Sequence, residues 1–114
     1  MTSLYLRITT ALNALGANPD DVADTLLAGG WTGLREDGLN CPISNYLTAV
    51  LPDIEAASVT FDRVKAFTVN ADTLEIPLPR AASRFVDDFD GGAYDDLAAV
   101  ITRHDGEVID DLER

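Results

Sequence analysis

An α+β fold, with helices at both ends of the chain and a small antiparallel sheet between them, follows from three features of the sequence. Apolar residues recur at helical spacing up to Leu51 and again after Pro79, whereas between these limits they alternate. Helices and strands are thus segregated along the chain, which favours α+β over a parallel α/β sheet. With 114 residues, 46% of them hydrophobic, residues 1–114 fit one domain with its own core.

The first helix is predicted over Leu4 to Leu15, where Leu4, Ile8, Ala11, Leu12 and Leu15 share a face and Gly16 is a natural stop. The second is better marked. Asn18 caps it, Pro19 suits its first turn, and Asp20 and Asp21 complement its dipole there. Val22, Ala23, Leu26 and Leu27 form its predicted buried stripe, and Gly29-Gly30 ends it. From Gly29 to Asn40, four of twelve residues are glycine, so the segment reads as a loop. Trp31, Leu34 and Leu39 within it predict a structured loop folded back on the core. Pro42 opens a third helix whose stripe is Ile43, Tyr46, Leu47, Val50 and Leu51, with Pro52 as terminator.

The middle alternates: Val59 with Phe61, then Lys65, Phe67 and Val69, then Leu74, Ile76 and Leu78. Strands near 65–69 and 73–78 are expected to form a hairpin about Asn70-Ala71-Asp72-Thr73, joined by a short strand near 57–61 to give a meander. Pro77 is confined to an edge or a strand end. After Pro79, the residues Ala82, Phe85, Val86 and Phe89 predict a further helix, broken at Asp90-Gly91-Gly92. Leu97, Val100 and Ile101 predict a last short helix, with Asp95 and Asp96 in its first turn. Val108, Ile109 and Leu112 keep helical spacing inside an acidic tail, 104–114.

Charge bounds the function. Twenty acids oppose eight bases, a formal net charge of −12, and half of the acids follow Ala81. Such a field repels phosphate backbones and anionic lipid, so direct nucleic-acid and membrane binding are not expected. It attracts a basic partner and keeps a small protein soluble. The lone Cys41 excludes an intramolecular disulfide and paired-cysteine zinc sites. With no basic leader and no long apolar run, a cytoplasmic location is expected.

Chemical motifs are absent. Counted from Asp88 as a calcium loop, the fifth, sixth and twelfth positions fall on Gly92, Ala93 and Ala99, and the pattern fails. Ser44 lacks a nucleophile elbow, and no glycine-rich nucleotide loop occurs. His104, the single histidine, cannot build a histidine metal site. No catalytic residue, metal or cofactor is therefore assigned. Cys41 stands at a helix start, where the dipole lowers a thiol pKa, and keeps a small enzyme or redox sensor in view. Trp31 is either a core plug, which Leu34 and Leu39 favour, or an exposed partner anchor, and Tyr94 poses the same question. The candidate binding residues are Trp31, Leu34, Asp87, Asp88, Asp90 and Tyr94.

Gly33, Asp37, Cys41-Pro42-Ile43, Tyr46-Leu47, Pro77-Leu78-Pro79, Phe85, Phe89-Asp90, Gly92, Tyr94 and Leu97 form a further pattern. Over roughly residues 22–98 it is similar to small uncharacterised proteins of actinobacteria and their phages. The resemblance implies an actinobacterial or phage origin and carries no site. The sequence thus leads to a non-enzymatic interaction module that binds a protein partner or itself. Its rival from another class is an acidic decoy that imitates a phosphate backbone and blocks a nucleic-acid-binding protein.

Overall fold

The computed structural model describes residues 3–98 and the backbone of residues 101–102 and 108–109. Its element order is α1 (Leu4–Asn13), α2 (Pro19–Gly29), α3 (Pro42–Val50), β1 (Ile54–Val59), β2 (Arg63–Thr68), β3 (Thr73–Pro77) and α4 (Arg80–Asp90). A single 3₁₀ turn (Asp95–Leu97) follows, then the short strands β4 (Ile101–Thr102) and β5 (Val108–Ile109). The fold is α+β, with a three-stranded antiparallel sheet in the order β1-β2-β3 between the helical parts.

Local chemistry sets the helix limits. Ser3 caps α1 by accepting from the Leu6 N–H at 3.1 Å. Asn18 caps α2 by accepting from the Asp21 N–H at 2.8 Å, and Pro19 occupies the first turn. That helix ends at Gly30, whose φ of 80° is in the left-handed region open to glycine; the Trp31 N–H then closes back on the Leu26 carbonyl at 3.0 Å. Cys41 stands at the cap position of α3, its sulfur accepting from the Ser44 N–H at 3.4 Å.

The helices cover one face of the sheet, with α3 along β1, α1 against β3, and α2 packed on α4. The described hydrophobic residues form one buried cluster that includes Ile8, Leu12, Val22, Leu26, Ile43, Leu47, Val64, Ile76, Phe85 and Phe89. Two buried polar contacts tie the layers. The Tyr46 hydroxyl donates to the Ala11 carbonyl at 2.8 Å, joining α3 to α1. The Ser44 hydroxyl shares its proton between the carbonyls of Ala57, at 2.6 Å, and Leu39, at 2.9 Å.

Several elements depart from the sequence pattern. On β2 the buried residues are Val64, Ala66 and Thr68, and Lys65, Phe67 and Val69 take the opposite phase. The first strand runs over 54–59 and not 57–61, which leaves Phe61 in the β1–β2 connection, 67% exposed. Leu27 and Val50, placed on buried stripes by spacing, are exposed, as is Leu39 in the glycine-rich loop. The helix expected around Leu97 and Ile101 is one 3₁₀ turn, and Ile101 belongs to β4, paired with Ile109. Val108 and Ile109 are likewise strand, whereas Val100, His104 and the rest of the acidic tail lie outside the described residues. Pro77 closes β3, which is an edge strand, as the missing N–H of proline requires.

Candidate functional site

The glycine-rich loop reaches the C-terminal end of α4 through Arg35. Its Nη1 donates to the Phe89 carbonyl and, at 2.7 Å, to the Ala93 carbonyl, and its Nη2 donates to Asp95 at 2.8 Å. The guanidinium carbon lies 4.7 Å from the centroid of the Phe89 ring. This cation occupies the end of α4 where the helix carbonyls carry partial negative charge. Beside it, the Glu36 N–H donates to Asp90 at 2.8 Å, with Glu36 at a φ of 56°. Gly33 closes the connection: its N–H donates to the Leu97 carbonyl at 2.9 Å, and a Cβ there would stand 2.3 Å from the Asn40 carbonyl oxygen.

These links set the 3₁₀ turn beside α2 and form an open groove of about 360 Å³. Ala23, Leu27, Leu97 and Tyr94 supply its apolar surface, and Asp20, Asp24 and Asp96 its carboxylates. Tyr94 is the centre. It stands at a φ of 59°, a left-handed conformation that costs a non-glycine residue about 1–2 kcal/mol. In that conformation its ring packs on Phe85, centroids 5.2 Å apart, and its hydroxyl donates to Asp20 at 2.9 Å. Burial, the bond to Asp20 and the charges of Asp20, Asp88 and Asp24 push the phenol up to about 12, so it is a proton donor at neutral pH.

The predicted binding residues separate in space. Tyr94 and Asp88 belong to this acidic neighbourhood. Asp90 anchors the loop, and Asp87 is exposed on α4. Trp31 is half-buried, edge-on to Tyr46 with centroids 5.0 Å apart, and it stacks where a side chain on Gly29 would stand. Leu34 is half-buried as well, and neither of the two lines the groove. The residues that sequence reasoning passed over are Asp20, Asp24 and Leu27, although their spacing of four and seven puts them on one face of α2.

Acidity is also segregated. Residues 54–86, which contain the sheet, hold four bases and four acids, whereas the other residues of 3–98 hold two bases and eleven acids. Cys41 is buried, and desolvation pushes its thiol up to about 11, so the sulfur caps α3 as a neutral group. Among the described residues, no three metal-ligating side chains converge, and no helix is long and apolar enough to cross a membrane. Comparison of the chain with known protein families, curated proteins and solved structures gave no match.

Proposed function

We propose that this protein is a non-enzymatic interaction module that takes a basic segment of a protein partner into the groove between α2 and the 3₁₀ turn. The observation that supports this most is the convergence on Tyr94: its hydroxyl donates to Asp20 at 2.9 Å, and Asp24 and Asp96 line the same groove. The surface of Leu27, Leu97 and Ala23 gives the methylene stem of a lysine or arginine an apolar contact, while the carboxylates meet its charged head. Exposed Leu27 fits this role better than that of a core residue. A phosphate-mimicking decoy needs carboxylates in extended rows, and convergence on one phenol favours a single cationic side chain instead. The reading includes a cytoplasmic setting, which suits a lone, unpaired thiol.

The test separates a groove from general charge attraction. A peptide alternating lysine and leucine, N-methylated at alternate residues so that it cannot extend a sheet, is titrated calorimetrically against the parent, against Asp24→Asn/Asp96→Asn, and against Glu36→Gln/Glu55→Gln, which removes equal charge elsewhere. The groove variant should weaken binding by about tenfold or more, roughly 1.4 kcal/mol, and the control by less than about threefold. Equal losses in both variants overturn the proposal.

A further inference from the structure

The two edges of the sheet are treated differently by the fold, and the difference can be followed one backbone group at a time. In an antiparallel pair, successive residues of a strand direct their N–H and C=O alternately toward one neighbour and the other. On β1, the Thr60 N–H donates to the Arg63 carbonyl at 2.9 Å, so with the register Ser58↔Lys65 the groups of Ser58 face β2 and those of Ala57 and Val59 face outward. These outward groups are met. The Val59 N–H donates to the Gly38 carbonyl at 2.9 Å, and the Ala57 carbonyl accepts from the Ser44 hydroxyl at 2.6 Å. Loop and helix close this edge.

The β3 edge is left open. Bonds from the Thr68 N–H to Asp72, at 2.9 Å, and from the Leu78 N–H to Asp62, at 3.0 Å, fix the phase. In the register Val64↔Ile76 and Ala66↔Leu74, the groups of Leu74 and Ile76 face β2, and those of Thr73, Glu75 and Pro77 face away from the sheet. Among the described residues, nothing meets the outward N–H and C=O of Thr73 and Glu75. All three outward-facing residues are exposed.

We infer that the β3 edge is a second docking surface, which adds an extended strand of a basic partner protein to the sheet. The backbone itself states the register. A residue opposite Glu75 and another opposite Thr73 each exchange two hydrogen bonds, and Pro77, with no N–H, can only accept. Side chains follow from the pleat. The residue opposite Glu75 extends the outer row Ser58–Lys65–Glu75. Glu75 already holds Arg63 at 3.0 Å, but its carboxylate is half-exposed and the chain carries a net charge of −12, so charge complementarity asks for lysine or arginine there. Its neighbour on the inner face meets Leu74, which is half-buried and shares an open hollow of about 330 Å³ with Leu4, so an apolar residue fits. The occupant is therefore a strand that alternates basic and apolar residues. A second copy suits the edge poorly: symmetric pairing centred on Glu75 sets two glutamates opposite each other, between chains of net charge −12. No residue of the α2 groove takes part, so either surface can fail without the other.

Amide hydrogen exchange and NMR on the full chain test this. In the free protein, the Thr73 and Glu75 amides should exchange at least about tenfold faster than those of Leu74 and Ile76. Addition of a nine-residue peptide alternating lysine and valine should raise protection at Thr73 and Glu75 by about tenfold or more. The same peptide N-methylated at the residues that face β3 should give no such protection, although its charge is unchanged. Prior protection of Thr73 and Glu75 in the free chain overturns the inference. If that protection grows with protein concentration, the occupant is a second copy. Equal effects of the methylated and unmethylated peptides also overturn it, leaving charge attraction alone.

Discussion

Replacement of Arg35 by alanine tests whether one side chain holds the glycine-rich loop to the end of α4. The guanidinium donates to the carbonyls of Phe89 and Ala93 and packs on the Phe89 ring, and its own side chain is only 12% exposed. Hydrogen bonds to a charged donor contribute about 1.5–3 kcal/mol each, and the cation–π contact about 0.5–1 kcal/mol. Asp95 is 90% exposed, so its ion pair adds no more than roughly 1 kcal/mol. These contributions overlap, because one group makes them all, and the expected loss is about 3–4 kcal/mol. At roughly 4 °C per kcal/mol for a domain of this size, Tm falls by about 12–16 °C. Urea unfolding of the parent, Arg35→Ala, Arg35→Lys and Asp95→Asn separates the parts. The lysine variant should recover less than half of the loss, since a compact ammonium cannot span the same acceptors. Asp95→Asn should cost less than about 1 kcal/mol. If Arg35→Ala unfolds within about 1 kcal/mol of the parent at an unchanged m value, the loop is held by something else.

Four further outcomes are expected. Self-repulsion at a net charge of −12 should raise Tm from low to moderate salt, and a falling midpoint in thermal melts contradicts this. The folded pKa of Tyr94 is raised from 10.0 to about 12, so its contribution is complete below pH 10 and is lost as pH climbs from 10 toward 12. Phenolate absorbance should show a late-titrating tyrosine that disappears in Tyr94→Phe, and identical titration curves refute the assignment. The Cys41 thiol, pushed up to about 11, should react with a disulfide reagent at neutral pH more slowly than free cysteine and speed up in denaturant; fast native reaction restores the case for a nucleophile. Exchange of charges on α4, Arg84→Glu with Asp88→Lys, should stabilise the chain by about 1 kcal/mol at constant net charge, because it replaces an unfavourable charge by a favourable one in the last turn and reverses one i,i+4 pair. A stability unchanged or lowered in denaturant titrations removes that argument.

What could be read in the sequence was what short-range chemistry punctuates. Asn18-Pro19, Gly29-Gly30, Pro42 and Pro52 bound helices that formed where they were expected, and the stripe Ala82, Phe85, Val86 and Phe89 is buried throughout. The alternation of Lys65, Phe67 and Val69 did not show which face of β2 is buried, for a physical reason. Phe67 is its largest apolar side chain, yet the face under the helices takes Val64, Ala66 and Thr68, residues small enough for close layers. The groove was hidden by distance along the chain, since Tyr94 and Asp20 are 74 positions apart. Leu27 fitted the buried stripe of α2 equally well by period, and only tertiary placement assigns it to the groove. Arg35 had no local signature at all, because its partners are the backbone carbonyls of another element.

The arrangement of charge along α4 bears on why the acids are where they are. This helix has no acidic residue in its first turn and no basic residue in its last. Arg80 and Arg84 stand in its N-terminal half, and Asp87, Asp88 and Asp90 crowd its C-terminal end. Those in the terminal turns, Arg80 and the three aspartates, oppose the helix dipole, at about 0.3–1 kcal/mol apiece for the exposed ones. Solubility does not require this order, since the same residues in the reverse order would give the same net charge and a more stable helix. Folding uses only Asp90, which accepts from the Glu36 N–H; the carboxylates of Asp87 and Asp88 have no such return among the described residues, because the buried face depends only on Ala82, Phe85, Val86 and Phe89. Arg35 offsets part of the cost at the carbonyl end, which is one reason a single loop arginine is engaged so fully there. Local rules that are broken without a structural return tend to mark functional surface. Here the violation puts Asp88 within electrostatic reach of Tyr94 and so adds to the field of the groove. The stability gained by exchanging Arg84 and Asp88 and any loss of basic-peptide binding in the same variant would therefore measure two sides of one compromise.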